Sequence, residues 1–66
     1  MTATINGENR ELAEGATVAE LLNDLKLERG GIAVAVNEQV VRTATFDEHR
    51  LREGDVVEVI RAVAGG

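Results

Sequence analysis

The residues whose types most suggest chemistry are the last ones in this sequence. The last residues read Ala62-Val63-Ala64-Gly65-Gly66. Glycine has no Cβ, so a Gly-Gly backbone can thread a channel too narrow for bulkier residues. It also leaves the Gly66 carboxylate unhindered. A carboxylate is a poor electrophile, and turning it into an acyl phosphate or adenylate takes ATP and an enzyme. Neither G-x-x-x-x-G-K-S/T nor G-x-G-x-x-G occurs in the chain, so no phosphate-cradling loop is expected. That chemistry has to come from a second protein, with this chain as substrate or carrier. The plain alternative is a frayed end with no role, as many chain ends are.

Other reactive side chains are few. His49 stands between Glu48 and Arg50 in a polar stretch, with no second His and no Cys to join it in a metal site. Thiolate chemistry and disulfides are excluded for the same reason. Glu53 and Asp55 flank Gly54, which suits a turn better than acid–base catalysis. Arg50, Arg52 and Arg61 are expected to form a small solvated basic area near the end of the last strand. The net charge is -5, from 7 basic and 12 acidic residues. That balance argues against nucleic acid, whose phosphates need a basic surface. No stretch approaches the roughly 20 apolar residues of a membrane span. The opening Met-Thr-Ala-Thr-Ile-Asn-Gly has no basic and apolar regions of a signal peptide. A cytoplasmic location is expected. No bound cofactor or metal is expected either. With 66 residues and one aromatic, Phe46, the chain makes one marginal core and leaves little room for a substrate pocket. A module acting through partners is the better expectation than an autonomous enzyme.

The elements that position the end of the chain follow from spacing. Thr17-Val18-Ala19-Glu20 is a capping box, and Val18, Leu21, Leu22 and Leu25 follow at i, i+3, i+4 and i+7 on one helical face. This predicts a helix over residues 18–27, stopped by Gly30-Gly31. Ala3 to Asn6 reads as a short strand, and Asn6-Gly7 as a hairpin turn into a returning strand over residues 8–13 that brings in Leu12. Ile32 to Val36 alternates large and small apolar residues, as a covered strand does. Asn37-Glu38 is a turn before a short strand over residues 39–42. Residues 43–53 read as irregular, with Phe46 and Leu51 plugging the core. Val56 to Arg61 is the last strand. The expected fold class is α+β, a mixed four- or five-stranded sheet with one helix packed on one face. The expected organisation is a domain over residues 1–61 and a flexible tail over 62–66.

Alternation assigns the faces of the last strand. Val57 and Val59 share one face; Val56, Glu58 and Ile60 share the other. An inward Glu58 would be an unpartnered buried carboxylate, so Val57 and Val59 are expected to face the core. Ile60 then points out beside the tail. Ala33 and Ala35 join it, since Val34 and Val36 face the helix. The expected docking face is a small apolar patch of Ile60, Ala33 and Ala35, rimmed by Glu58 and Arg61.

The motifs together resemble a known family. Asn6-Gly7, Thr17-Val18-Ala19-Glu20-Leu21-Leu22, Ala33-Val34-Ala35-Val36-Asn37, Val40-Val41, Arg50-Leu51 with Gly54-Asp55, and Val57-Glu58-Val59 through Ala64-Gly65-Gly66 span nearly the whole chain. Their order is similar to that of ubiquitin-like β-grasp proteins, and their spacing to the sulfur carriers of thiamin biosynthesis, the ThiS family. Thr43 stands where relatives often have Pro, and Phe46 where an aromatic, often Trp, follows. The resemblance implies a protein substrate rather than an enzyme. An adenylating enzyme of the ubiquitin-activating type would use ATP to convert the Gly66 carboxylate to an acyl-adenylate. A persulfide sulfur donor would then leave a thiocarboxylate there, and thiazole synthase would take the sulfur. Ala64, Gly65 and Gly66 would be the residues entering those active sites. The small subunit of molybdopterin synthase, or another sulfur carrier, would fit the same chemistry. A ubiquitin-like modifier would use the same adenylate to form amide bonds with lysines.

Overall fold

The capping box at Thr17 starts the one helix among the described residues, α1 (Val18–Asp24). The chain's structure is a computed structural model that describes residues 1–28 and 30–61. The tail residues 62–66, with Ala64, Gly65 and Gly66, lie outside the described residues, as does Arg29. At the helix start the Glu20 amide donates to the Thr17 hydroxyl at 3.2 Å, and the Thr17 amide donates to the Glu20 carboxylate at 2.8 Å. The amides of Val18 and Ala19 donate to the carbonyls of His49 and Phe46, so the first turn leaves neither donor unmet.

α1 is shorter than the predicted 18–27. Leu25 is its C-cap, and Lys26 turns left-handed at φ 60. The Lys26 amide donates to Asn23 at 3.0 Å and the Leu27 amide to Leu22 at 2.9 Å. These two bonds make a Schellman stop, and it falls before Gly30-Gly31 is reached. The paired hydrophobic contact of that motif is met by Leu22, buried, and Leu27, packed partly against the core.

Among the described residues, five strands form one mixed sheet: β1 (Thr2–Ile5), β2 (Glu8–Glu11), β3 (Ile32–Val36), β4 (Gln39–Val41) and β5 (Val56–Arg61), in the order β2-β1-β5-β3-β4. β1 and β2 are joined by the two-residue turn Asn6-Gly7, with φ of 51 and 86. Both residues need a left-handed backbone there, which Asn tolerates and Gly adopts freely. β3 and β4 are joined in the same way by Asn37-Glu38. β5 lies in the middle, parallel to β1 and antiparallel to β3.

The core lies between α1 and one face of the sheet. Val18, Leu21 and Leu22 meet Ala3, Ile5, Val34, Val36 and Val57. Residues 43–53, expected to be irregular, include a 3₁₀ turn, Thr43–Thr45. It delivers Phe46 to the core at 0% exposure, with Leu51 beside it at 2%. Burial of such a side chain stabilises by about 1.5–3 kcal/mol. The expectation of one basic area is corrected by the strand direction. Arg52 and its neighbour Arg50 precede β5, where the Arg52 amide bonds Asp55, while Arg61 ends the strand. A six-residue strand separates them by roughly 17 Å along its axis.

Candidate functional site: the open sheet face and the end of β5

The end of β5 is where the described structure hands on to residues 62–66. Val57 is fully buried, Val59 is half-buried against the core, and Val56, Glu58 and Ile60 are exposed. The register sets Ala33 opposite Ile60 and Ala35 opposite Glu58. Both pairs lie on the face away from α1, Ala33 exposed and Ala35 half-buried. Small alanines beside Ile60 leave its side chain standing clear, at 57% exposure.

The patch is wider than the sequence reading made it. Val40 of β4 sits opposite Ala35 and is 79% exposed. Val56 joins at the far end of β5, at 48%. Alternation could have found Val40, because its neighbour Val41 is buried. Three exposed β-branched residues around two alanines make an apolar surface with one carboxylate, Glu58, in its midst. Such a surface suits a transient partner.

Arg61 does not rim this patch as expected. It is opposite Ile32, whose side chain is buried on the helix side, so Arg61 points to that side too. There it lines a shallow cleft with Lys26, Leu27, Glu28 and Gly30. The physical reason is the alternation that sends Ile60 outward, since the next residue must point the other way.

Asn6, expected as a turn residue, does more than turn the chain. Its side-chain amide bonds the backbone of Val59 twice, accepting from the amide at 2.8 Å and donating to the carbonyl at 3.2 Å. Among the described residues, no group of three His, Asp or Glu side chains gathers to hold a metal ion. His49 lines a polar cleft with Arg50, Arg52 and Asp55, on the side of the sheet where β5 begins. No helix among the described residues is long and apolar enough to cross a membrane.

Comparison with known proteins agrees with this geometry. A family model described as the ThiS family matches residues 3–66. The chain is 42% identical over 62 residues to the sulfur carrier protein ThiS of Thermus thermophilus, covering 94% of this chain and 95% of that one. It is 30% identical over 66 residues to a thiazole synthase of Paramagnetospirillum magneticum, covering 100% of this chain and 20% of that longer one. The crystal structure of the thiamine biosynthesis protein ThiS from Geobacter metallireducens superposes with a TM-score of 0.85 at 33% identity, covering 100% of both chains. The shared architecture is the ubiquitin-like β-grasp.

Proposed function

The chain belongs to the ThiS family, and on that premise we propose that it is the sulfur carrier protein of thiamin biosynthesis, a cytoplasmic protein cosubstrate rather than an enzyme. One observation carries the reading onto these residues. The middle strand of the sheet, β5, runs beside an open apolar face and leads at Arg61 into the residues that end in Gly65-Gly66. A carrier needs that combination: a surface to be recognised and a narrow end to be modified.

The reaction follows from the chemistry of a carboxylate. A partner adenylating enzyme joins the Gly66 carboxylate to the α-phosphate of ATP and releases pyrophosphate. The acyl-adenylate has a good leaving group in AMP. The outer sulfur of a persulfide donor attacks the acyl carbon and AMP departs. A thiol then cleaves the S–S bond, supplying the electrons, and leaves a thiocarboxylate on Gly66. Its sulfur is a strong nucleophile for a thiazole synthase. Support for that partner is the thiazole synthase whose own chain includes a stretch similar to all of this one.

Ala64, Gly65 and Gly66 enter the partner active sites, and Ile60, Ala33, Ala35 and Glu58, with Val40, form the docking face. The tail alone would bind weakly, because ordering a few residues offsets much of what they gain. Deleting Gly65 and Gly66 tests the reading. The truncated protein should keep its circular dichroism spectrum and melting temperature, since neither residue supplies a core side chain. Sulfur transfer in a system rebuilt from purified adenylating enzyme, persulfide donor and thiazole synthase should vanish. Retained transfer would rule out the terminal-carboxylate mechanism.

A further inference from the structure

β5 is not gripped equally along its two edges. β3 pairs with it from Val57 to Arg61, but β1 pairs with it only at Val56 and Val57. Beyond that point the β1 edge is met by Asn6. The Asn6 amide donates to the Val57 carbonyl at 2.9 Å, which continues the ladder by one bond. Its backbone then turns away, left-handed at φ 51. Its side chain takes over, with Oδ1 accepting from the Val59 amide at 2.8 Å and Nδ2 donating to the Val59 carbonyl at 3.2 Å. One side-chain amide thus imitates the strand residue that β1 no longer provides. The clamp closes two residues before β5 ends at Arg61.

We propose that Asn6 is a positioning residue of the carrier: its side-chain amide holds the tail-bearing end of β5 in the sheet, and so fixes where residues 62–66 start towards a partner's active site. The proposal rests on the sulfur-carrier reading and adds a residue to it. Without the clamp, Val59 to Arg61 would be held from the β3 side alone. The end of β5 would sample detached conformations, and a partner would have to order it on binding. Once bound, the tail is held by the enzyme, so the chemical step is unchanged.

The competing account is that Asn6 serves only its turn, for which Asn is well suited. Asn6→Gly separates the two, because Gly keeps the left-handed turn and removes the amide. The molecule also supplies a matched control. Asn37, likewise at φ 51, accepts from the Val56 amide at 2.9 Å and donates to the Asp55 carboxylate at 3.0 Å. It clamps the opposite end of β5, remote from the tail. Asn37→Gly therefore removes the same kind of contact where delivery is not at stake.

The test is amide hydrogen exchange on both variants, with steady-state adenylation measured while the carrier concentration is varied. Losing the clamp in Asn6→Gly should speed exchange at Val59 and Ile60 by roughly tenfold and raise KM for the carrier roughly three- to tenfold, with kcat unchanged. Asn37→Gly should speed exchange at Val56 and leave KM as it is. Wild-type exchange at Val59 and Ile60 in Asn6→Gly would overturn the proposal. So would a KM rise shared equally by Asn37→Gly, or an effect that falls on kcat. If the unaltered carrier is not adenylated at all, the sulfur-carrier reading fails instead. The exchange rates still decide whether Asn6 holds the end of β5.

Discussion

Lys26 and Glu38 are long, charged side chains placed where the backbone is left-handed, at φ 60 and 70. Each pays for a Cβ close to its own carbonyl, a strain of roughly 1–2 kcal/mol that Gly avoids. Lys26→Gly and Glu38→Gly should each raise stability by about 0.5–1 kcal/mol, after Gly's greater entropy in the unfolded chain is set against that relief. Denaturant midpoints check this, and a loss in either variant would contradict the assigned turns. The Met1 ammonium and Glu11 supply a pH dependence. Their 3.2 Å bond holds the ammonium above its ordinary value and is the main cause that holds the Glu11 carboxyl below its own. The ammonium's contribution is complete below its ordinary value of 8.0 and is lost as pH rises through the raised one. The Glu11 contribution is present above 4.5 and is lost as pH falls through the lowered value. Glu11→Gln should therefore lower the melting temperature most between these limits, with the difference from wild type shrinking on both sides. At this scale the capping box was legible because Thr17 and Glu20 carry it in their types and spacing. The stop at Lys26 was not, because nothing in a lysine marks a left-handed backbone, and two glycines further on offered a more familiar signal.

Among the elements, β5 carries the most information, and its faces could be read in advance. A single carboxylate at Glu58 decides which way the strand points, since burying it unpaired would be destabilising. The same substitution at two neighbouring sites should then give opposite results. Val57→Asp, at 0% exposure, should unfold the domain. Ile60→Asp, at 57%, should leave the melt nearly unchanged and depress ATP–pyrophosphate exchange with the adenylating enzyme. A folded Ile60→Asp that is adenylated normally would remove this residue from the docking face. Val59 is a poorer choice for the buried site than alternation alone suggests. It is only half-buried, and it lies beyond Val57, where the pairing of β1 with β5 ends. The 3₁₀ turn before Phe46 was hidden for a different reason. Thr43-Ala44-Thr45 has no apolar period, and the turn is held by local bonds, the Thr45 amide and hydroxyl both donating to the Arg42 carbonyl and the Phe46 amide to that of Thr43.

At the scale of the whole molecule, the described residues build one core in a 66-residue chain without disulfides, so the stability margin is small. Phe46, the one aromatic, is fully buried beneath the helix start. Phe46→Ala should cost about 3–5 kcal/mol, enough to leave much of the population unfolded at 37 °C. A cooperative melt close to wild type would show that the core does not depend on it. The sheet order makes the middle strand the one that leads to Gly66. Intact mass after incubation with the purified adenylating enzyme, ATP and a persulfide donor reads the modification itself. The expected result is a mass gain equal to the exchange of one oxygen for one sulfur, with fragmentation placing it on Gly66. An unchanged mass, a sulfur located elsewhere, or conjugates to lysines of other proteins as the only products would contradict it.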